Sequence, residues 1–260
     1  MDGTSLPAGA GGTGRPAPPA VVFDVDGTLV DSERHGHRVA FNLAFEEFGL
    51  PYRWDEEEYG DLLRVTGGRR RIEGYLADHG VGEDRAALAA ALHERKTAIM
   101  TTLIEEGRIE ARPGAVRLLG ELTGAGSRLA VATTGSRSWV EPVLARSTPL
   151  AAFDVIVTGD DVESRKPDPE AFVRAVALLG LPAEEIVAVE DSAEGLASAR
   201  GAGLRCAVVV NGYTEGHDLA GADLVLDGFG EPGHPARVVA DPRGTGCDGV
   251  LDAATLGRLL

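Results

Sequence analysis

Two carboxylates, Asp24 and Asp26, stand two residues apart at the end of an apolar run in the stretch FDVDGTLVD, and Gly27 follows them directly. Side chains at positions i and i+2 of a strand share one face, so the two carboxylates should point the same way. Like charges at this spacing repel each other, which calls for a chemical reason. Taken alone, an Asp-x-Asp-Gly sequence is also typical of a turn with solvated carboxylates, so the rest of the chain must decide.

Polar side chains also stand at or just after the ends of three further apolar runs: Thr133 and Thr134 end run 129–134, Lys166 follows run 154–161, and Glu190 and Asp191 end run 186–191. Ligands of an open parallel sheet bind outside the carboxyl ends of its strands. If the runs are strands, four carboxylates and one lysine therefore share one rim. A divalent cation is the ordinary remedy for such repulsion, and carboxylate oxygens favour Mg²⁺.

Lysine is scarce in this chain, since only Lys96 and Lys166 occur among the 25 basic residues. A compact ammonium is a point charge that fits beside a phosphoryl group and carboxylates, where a planar guanidinium would not. The alternative is that Lys166 is a surface lysine in a loop. Its position beside the other polar residues favours a role in the site.

The apolar runs are short and rich in Val and Ile, which is typical of strands buried on both faces of a parallel sheet. The segments between them have helical spacing and end at glycine. Strand and helix alternate, so the sequence predicts an α/β fold with a Rossmann-like parallel sheet. The predicted strands are residues 21–26, 129–134, 154–161, 186–191, 206–210 and 224–227.

One interval interrupts this alternation, because the residues between Asp31 and Arg112 contain no strand-like run and have helical spacing throughout. This pattern predicts a helical cap domain, residues 37–108, inserted into a core of residues 19–36 and 109–260. The first 18 residues are rich in Gly, Pro and Ala without periodicity, and we expect them to be disordered.

The formal charge of −16 at pH 7 argues against binding to nucleic acid or to anionic membranes. No stretch is long and apolar enough for a membrane span, and the N-terminus lacks the pattern of a signal peptide. Two cysteines imply no disulfide framework. We therefore expect a cytoplasmic protein, a monomer, whose partner is a small molecule.

Four segments together resemble the motifs of the haloacid dehalogenase superfamily of phosphotransferases: DVDGT at 24–28, Thr133 after LAVA, KPDP at 166–169 and VEDS at 189–192. The helical insertion is similar to that superfamily's cap domain. From Val21 onward, segments such as TGGRRRI, HERKT, ARPG and NGYT resemble the CbbY branch, the xylulose-1,5-bisphosphate phosphatases that serve Rubisco in the Calvin cycle. Arg69 departs from this branch, where a lysine is expected.

The resemblance implies a mechanism in which Asp24 attacks phosphorus and forms an aspartyl phosphate. Asp26 would protonate the leaving group and then activate water. Thr133 and Lys166 would bind the phosphoryl oxygens. Mg²⁺ would be held by four carboxylates, which are Asp24, Asp26, Glu190 and Asp191.

Substrate contacts are predicted at two places. The glycine turn of Gly67 and Gly68 precedes a helix near Arg69, and amides at a helix N-terminus bind anions such as a second phosphate. A glycine turn with solvated arginines is the alternative. Around the first site, Glu33, His37, Thr134 and Arg137 are further candidates for contacts with the substrate, although solvated roles for Glu33, His37 and Arg137 remain open.

Other functions share some of these motifs. A mutase similar to β-phosphoglucomutase would return the phosphoryl group to the sugar, and a phosphatase of other small sugar monophosphates is a second alternative. A signalling receiver domain also places acidic residues, a Thr and a Lys around a phosphorylated Asp. The order of the acidic residues and the helical insertion argue against a receiver domain.

Overall fold

The computed structural model of the chain describes residues 17–65 and 67–260, which contain a seven-stranded sheet. The strands are β1 (Ala20–Phe23), β2 (Arg128–Ala132), β3 (Phe153–Val157), β4 (Ile186–Glu190), β5 (Arg205–Val209), β6 (Leu224–Leu226) and β7 (Val238–Ala240). Their order in the sheet is β3-β2-β1-β4-β5-β6-β7. Strands β1 to β6 are parallel, and β7 pairs with β6 in the antiparallel direction.

Strand β1 lies in the interior of the sheet, between β2 and β4, and all four of its residues are buried. Val21 and Phe23 pack into the hydrophobic cluster on one face, and Ala20 and Val22 into the cluster on the other. A strand with apolar contacts on both faces reads as a continuous hydrophobic run, which is the pattern found in the sequence. The predicted α/β fold with a Rossmann-like parallel sheet is therefore confirmed.

Five helices accompany the sheet: α5 (Ala115–Gly124), α6 (Arg137–Ser147), α7 (Glu170–Leu179), α8 (Ala193–Gly201) and α9 (Ala253–Gly257). Helix α8 begins directly after β4, and the Ser192 hydroxyl caps it by accepting a hydrogen bond from the Gly195 amide at 3.1 Å. Helix α7 ends at Gly180, whose φ of +66° is the left-handed conformation that glycine adopts most readily.

Among the described residues, four α-helices lie between β1 and α5, and we call them the cap helices: α1 (Arg38–Glu47), α2 (Glu56–Leu62), α3 (Gly68–Asp78) and α4 (Arg85–Glu105). A single π-helical turn, Glu33–His37, leads into α1. Buried aromatic rings, among them Phe41, Phe45 and Trp54, fill the space between these helices. The cap helices fall within the predicted insertion 37–108, and the division into two domains stays a prediction.

The structure differs from the sequence-based expectation at three places. Strand β1 ends at Phe23, so Asp24 and Asp26 follow the strand and their spacing does not place them on one face of it. Strand β7 was not predicted, because it has only three residues and is partly exposed. The segment expected to be disordered, 1–18, lies outside the described residues up to residue 16, but Pro18 is buried and its carbonyl accepts a hydrogen bond from Ser127 at 2.6 Å.

The tail after Gly228 packs on the core. Phe229 and Leu256 are fully buried, and Arg117 of α5 donates hydrogen bonds to the carbonyls of Gly230 at 2.9 Å and Leu251 at 3.2 Å. Within residues 17–65 and 67–260, none of the helices combines the length and the hydrophobicity that a membrane span needs.

Candidate functional site

Three buried carboxylates meet at the carboxyl ends of the two central strands. Asp24 directly follows β1, Glu190 is the last residue of β4, and Asp191 comes next. Oxygens of the three side chains lie within 4.8 Å of one another, and none of these residues is more than 6% exposed. We call these three residues the carboxylate cluster. The structure therefore brings together three of the four predicted metal ligands, Asp24, Glu190 and Asp191, whereas the carboxylate of the fourth, Asp26, groups with Glu33 and His37.

Lys166 supplies the cation of this cluster. Its Nζ donates hydrogen bonds to Asp24 Oδ1 at 2.6 Å and to Glu190 Oε1, and it lies 5.0 Å from the centre of the Phe172 ring. Burial alone would lower the pKa of Lys166, but the charges of Asp24 and Glu190 outweigh it and raise that pKa. The lysine therefore stays charged and holds one oxygen of Asp24 in place.

One ammonium does not neutralise three carboxylates. Burial, together with the charge of Asp24, raises the pKa of Glu190 to about 7 although Lys166 opposes this shift. Burial and the charges of Glu190 and Asp24 raise the pKa of Asp191 well above its usual range. Burial is the largest cause of both pKa shifts, and the neighbouring carboxylates add to it. Carboxylate oxygens at this spacing fit a hard divalent cation.

Asp26 belongs to a separate group. Its carboxylate accepts a hydrogen bond from the Ser32 hydroxyl and lies 3.7 Å from His37 Nε2, and one oxygen of Asp26 groups with ligand atoms of Glu33 and His37 within 4.8 Å. Burial and the charge of Glu33 raise the pKa of Asp26 well above its usual range. A raised pKa favours the protonated form of the carboxyl group, which suits an acid.

Lys96 connects Asp26 to the cap helices. This lysine of α4 is only 7% exposed, and its Nζ donates a hydrogen bond to His37 Nδ1 at 2.8 Å. A protonated Nζ can only donate, so Nδ1 then accepts and a neutral imidazole carries its proton on Nε2, the nitrogen that faces Asp26. Burial lowers the pKa of Lys96 to about 8, and burial together with the charge of Lys96 lowers the pKa of His37. We did not predict Lys96 as a site residue, although the scarcity of lysine was a signal for it.

Gly27 forms the turn that separates the two groups. Its φ is +86°, and a β-carbon at this position would come within 2.5 Å of Asp191 Oδ2, so both the conformation and the space require glycine. The Gly27 carbonyl accepts hydrogen bonds from Arg112 Nη1 at 2.6 Å and from Asn211 Nδ2 at 3.2 Å. Asn211 Nδ2 also donates to Asp191 Oδ2 at 2.7 Å.

Arg112 and Asn211 were not among the predicted site residues. They lie in the segments ARPG and NGYT, whose similarity to the CbbY branch was the only sequence signal for them. Both side chains act by binding backbone carbonyls or an existing carboxylate, and such contacts leave no spacing pattern in a sequence. Arg112 also donates to the carbonyls of Val209 and Val210, so it joins β5 to the Gly27 turn.

Thr133 and Thr134 follow the carboxyl end of strand β2. Thr133 follows β2 directly, is 1% exposed, and its hydroxyl accepts a hydrogen bond from the Gly135 amide at 3.1 Å. Thr134 is partly buried. Arg137 is held at the start of α6 by Glu141 and Asp161, so contact between Arg137 and a substrate stays a prediction that would require these ion pairs to open.

The glycine turn of the cap lies at the start of α3. Gly67 has a φ of +92°, Gly68 is the first residue of the helix, and Arg69 is exposed. Gly68 lies against the side chains of His93 and Phe41. Phe41 in turn lies 4.9 Å from Lys96 Nζ, which bonds to His37 beside Asp26. A continuous series of contacts therefore connects the glycine turn with Asp26.

Comparison with known proteins gives consistent results. A family model for haloacid dehalogenase-like hydrolases matches residues 18–203. Protein CbbY of Cereibacter sphaeroides is 45% identical over 217 residues, which are 82% of this chain and 94% of that protein. The crystal structure of CbbY from Rhodobacter sphaeroides with phosphate is similar at a TM-score of 0.72 and 43% identity, over 81% of this chain and 94% of that one. A mutant of that CbbY with xylulose-1,5-bisphosphate gives a TM-score of 0.71 and 42% identity, with the same coverage.

Proposed function

Because the chain belongs to the haloacid dehalogenase-like hydrolases and is a phosphatase of that family, we propose that it is a Mg²⁺-dependent sugar-phosphate phosphatase acting on xylulose-1,5-bisphosphate. The observation that carries the proposal is the carboxylate cluster with Lys166 bound to Asp24 at 2.6 Å. Similarity to a CbbY structure that holds this bisphosphate supports the choice of substrate.

Asp24 is the nucleophile in the proposed mechanism. Lys166 engages its Oδ1, which leaves Oδ2 to attack phosphorus in line, and the bond between phosphorus and the sugar oxygen breaks as the aspartyl phosphate forms. Mg²⁺ bound by the carboxylate cluster would offset the charge of the phosphoryl group and orient it. The Thr133 hydroxyl would donate to the phosphoryl oxygens, and Lys166 would offset the charge that builds on them.

Asp26 carries the proton in both halves of the reaction. In the first half the protonated carboxyl group donates its proton to the departing sugar alkoxide. In the second half the carboxylate removes a proton from water, whose oxygen attacks phosphorus, so that phosphate leaves and Asp24 is free again. The raised pKa of Asp26, caused by burial and Glu33, supports the first role.

A bisphosphate needs a second phosphate site, and we assign it to Gly67, Gly68 and Arg69. The start of α3 offers backbone amides without a side-chain cap, and the exposed Arg69 adds a positive charge. In a chain with a net charge of −16, a basic helix start is a local feature suited to an anion. The contacts that run from Gly68 through Phe41 to Lys96 support a position of this second phosphate site facing the reaction site. Binding energy at this remote phosphate can be used to lower the barrier at the other one.

The deciding experiment compares two substrates in three proteins. Wild type, Arg69→Ala and Arg85→Ala are assayed for phosphate release from xylulose-1,5-bisphosphate and from a small aryl phosphate. Loss of a charge-assisted hydrogen bond costs about 1.5–3 kcal/mol, so Arg69→Ala should lower kcat/KM for the bisphosphate about 10- to 150-fold. Its activity on the aryl phosphate should stay within about twofold. Arg85→Ala removes another exposed arginine of the cap helices and should change the activity on neither substrate.

Two results would contradict the proposal. Equal losses on both substrates, or none, would show that Arg69 does not contact a second phosphate and would favour a phosphatase of sugar monophosphates. If sugar were isomerised without release of phosphate, the chain would be a mutase. Counting the phosphate released per sugar consumed separates these outcomes.

A further inference from the structure

The tight loop 211–214, which follows β5, contacts the carboxylate cluster with one residue and helix α2 of the cap with another. We propose that this loop couples the position of α2 to the orientation of Asp191, with Asn211 as the positioning residue and Tyr213 as the contact with the cap. The inference rests on the proposed function, because it assigns Asp191 to the metal site.

At the cluster, Asn211 holds the carboxylate of Asp191. Its Nδ2 donates to Asp191 Oδ2 at 2.7 Å, while Thr28 Oγ1 donates to the other oxygen at 3.3 Å. The orientation of the Asn211 amide is fixed, because its Oδ1 accepts a hydrogen bond from the backbone N–H of Tyr213 at 2.8 Å. The backbone of Tyr213 therefore determines which atom of Asn211 faces Asp191.

At the cap, the side chain of Tyr213 packs on α2 and on the turn before α1. Its ring meets the Tyr59 ring edge to face with 6.0 Å between centroids, and a β-carbon at Gly60 would lie 3.1 Å from Tyr213 Cδ1. The Arg34 guanidinium lies 5.7 Å from the centre of the same ring, and its Nε is 3.3 Å from Glu56 Oε2 on α2. Tyr213 thus contacts both α2 of the cap and the π-helical turn that leads into α1.

Two hydrogen bonds close the loop between these contacts. The backbone N–H of Thr214 donates to the backbone carbonyl of Asn211 at 3.0 Å. The Thr214 hydroxyl accepts a hydrogen bond from the backbone N–H of Asn211 at 3.0 Å. A shift of Tyr213 with α2 therefore also shifts the N–H that orients Asn211. Coupling between two sites is reciprocal, so a cation bound at Asp191 favours the position of α2 that Tyr213 contacts.

The test measures binding of Mg²⁺ alone, without substrate, to the full chain by isothermal titration calorimetry after removal of metal with a chelator. Residues that orient metal ligands typically contribute about 10- to 100-fold to metal affinity, so Asn211→Ala should bind Mg²⁺ at least about tenfold more weakly than wild type. Tyr213→Ala should weaken binding about threefold or more, although it removes no atom near the cluster. Tyr213→Phe keeps the ring and should bind within about 1.5-fold of wild type.

Thermal unfolding without metal accompanies each titration, because a merely structural residue would shift Tm without changing the Mg²⁺ affinity of the folded protein. Absence of Mg²⁺ binding in wild type would refute the proposed metal site. Wild-type affinity in a folded Asn211→Ala would refute the positioning role of Asn211. Wild-type affinity in Tyr213→Ala would refute the coupling. Because the Tyr213 side chain is only partly buried, Tyr213→Ala should fold, so it tests the coupling even if Asn211→Ala does not fold.

Discussion

The buried charge of Lys96 gives a quantitative prediction for stability against pH. Burial lowers the pKa of Lys96 from 10.5 to about 8. Below pH 8 the lysine is protonated in both the folded and the unfolded state, so burial of its charge lowers the free energy of unfolding by its full amount. Between pH 8 and 10.5 the unfolded chain holds this proton and the folded protein does not, so the contribution of Lys96 to the free energy of unfolding rises with pH. A shift of this size corresponds to about 3 kcal/mol.

Lys96→Met removes the titrating group and keeps most of the buried volume. At pH 7, removal of the buried charge should stabilise the variant by about 3 kcal/mol, and loss of the hydrogen bond to His37 should destabilise it by about 1 kcal/mol. We therefore expect the variant to be more stable than wild type by about 2 kcal/mol at this pH. The advantage should shrink by about 3 kcal/mol between pH 7.5 and 10.5. Tyr59 and Cys206, whose pKa values burial raises, also affect stability in this range, but they are present in both proteins and cancel in the difference.

Urea unfolding of both proteins at several pH values, with a chelator present, measures this difference. Arg95→Met is the matched control, because Arg95 is the neighbouring residue of α4, is exposed, and does not titrate in this range. Its difference from wild type should not change with pH. A difference between Lys96→Met and wild type that stays constant within about 0.5 kcal/mol from pH 7.5 to 10.5 would refute the assignment of a buried, titrating lysine.

Three further changes test the site. Asp26→Asn should slow hydrolysis of a sugar phosphate far more than that of an aryl phosphate, whose leaving group needs no proton, and equal losses in steady-state rates would exclude Asp26 as the acid. Lys166→Arg should lower kcat at least about tenfold despite its unchanged charge, because a planar fork does not fit between the carboxylates, and full activity would contradict this. A β-carbon in Gly195→Ala would overlap the Glu190 carboxylate, so we expect Mg²⁺ affinity to fall. The free energy of unfolding should fall by about 1–3 kcal/mol, seen as a lower Tm. The control Gly120→Ala, on α5 where a β-carbon has free space, should raise stability by about 0.5–1 kcal/mol.

The parts of this fold that the sequence predicts well are those with a strong local pattern. Six strands could be predicted from runs rich in apolar residues, because buried parallel strands need apolar residues on both faces. Polar residues at the ends of such runs meet at one rim whatever the details of packing, which is why Asp24, Glu190 and Lys166 were placed together correctly.

Contacts that depend on packing between distant elements could not be predicted in this way. The bond between Lys96 and His37 requires α4 to lie beside the turn before α1, and no spacing in the sequence encodes that arrangement. The carboxylate of Asp26 groups with Glu33 and His37 because β1 ends at Phe23 and the chain turns at Gly27. Asn211 was missed because a side chain that binds a distant carboxylate resembles any other polar loop residue.

The position of β1 between β2 and β4 also restricts the movement of Asp24, the proposed nucleophile. The amide of Asp24 itself donates a hydrogen bond to the Val189 carbonyl of β4 at 3.0 Å, and the four residues before it are fully buried. Amides in such a strand exchange with solvent only when the whole domain unfolds, whereas frayed ends and loops open at far lower cost. We therefore expect the segment that carries Asp24 to open only when the sheet as a whole unfolds. A mutation that weakens the fold elsewhere should reduce the fraction of folded molecules without changing the rate constant of those that remain folded.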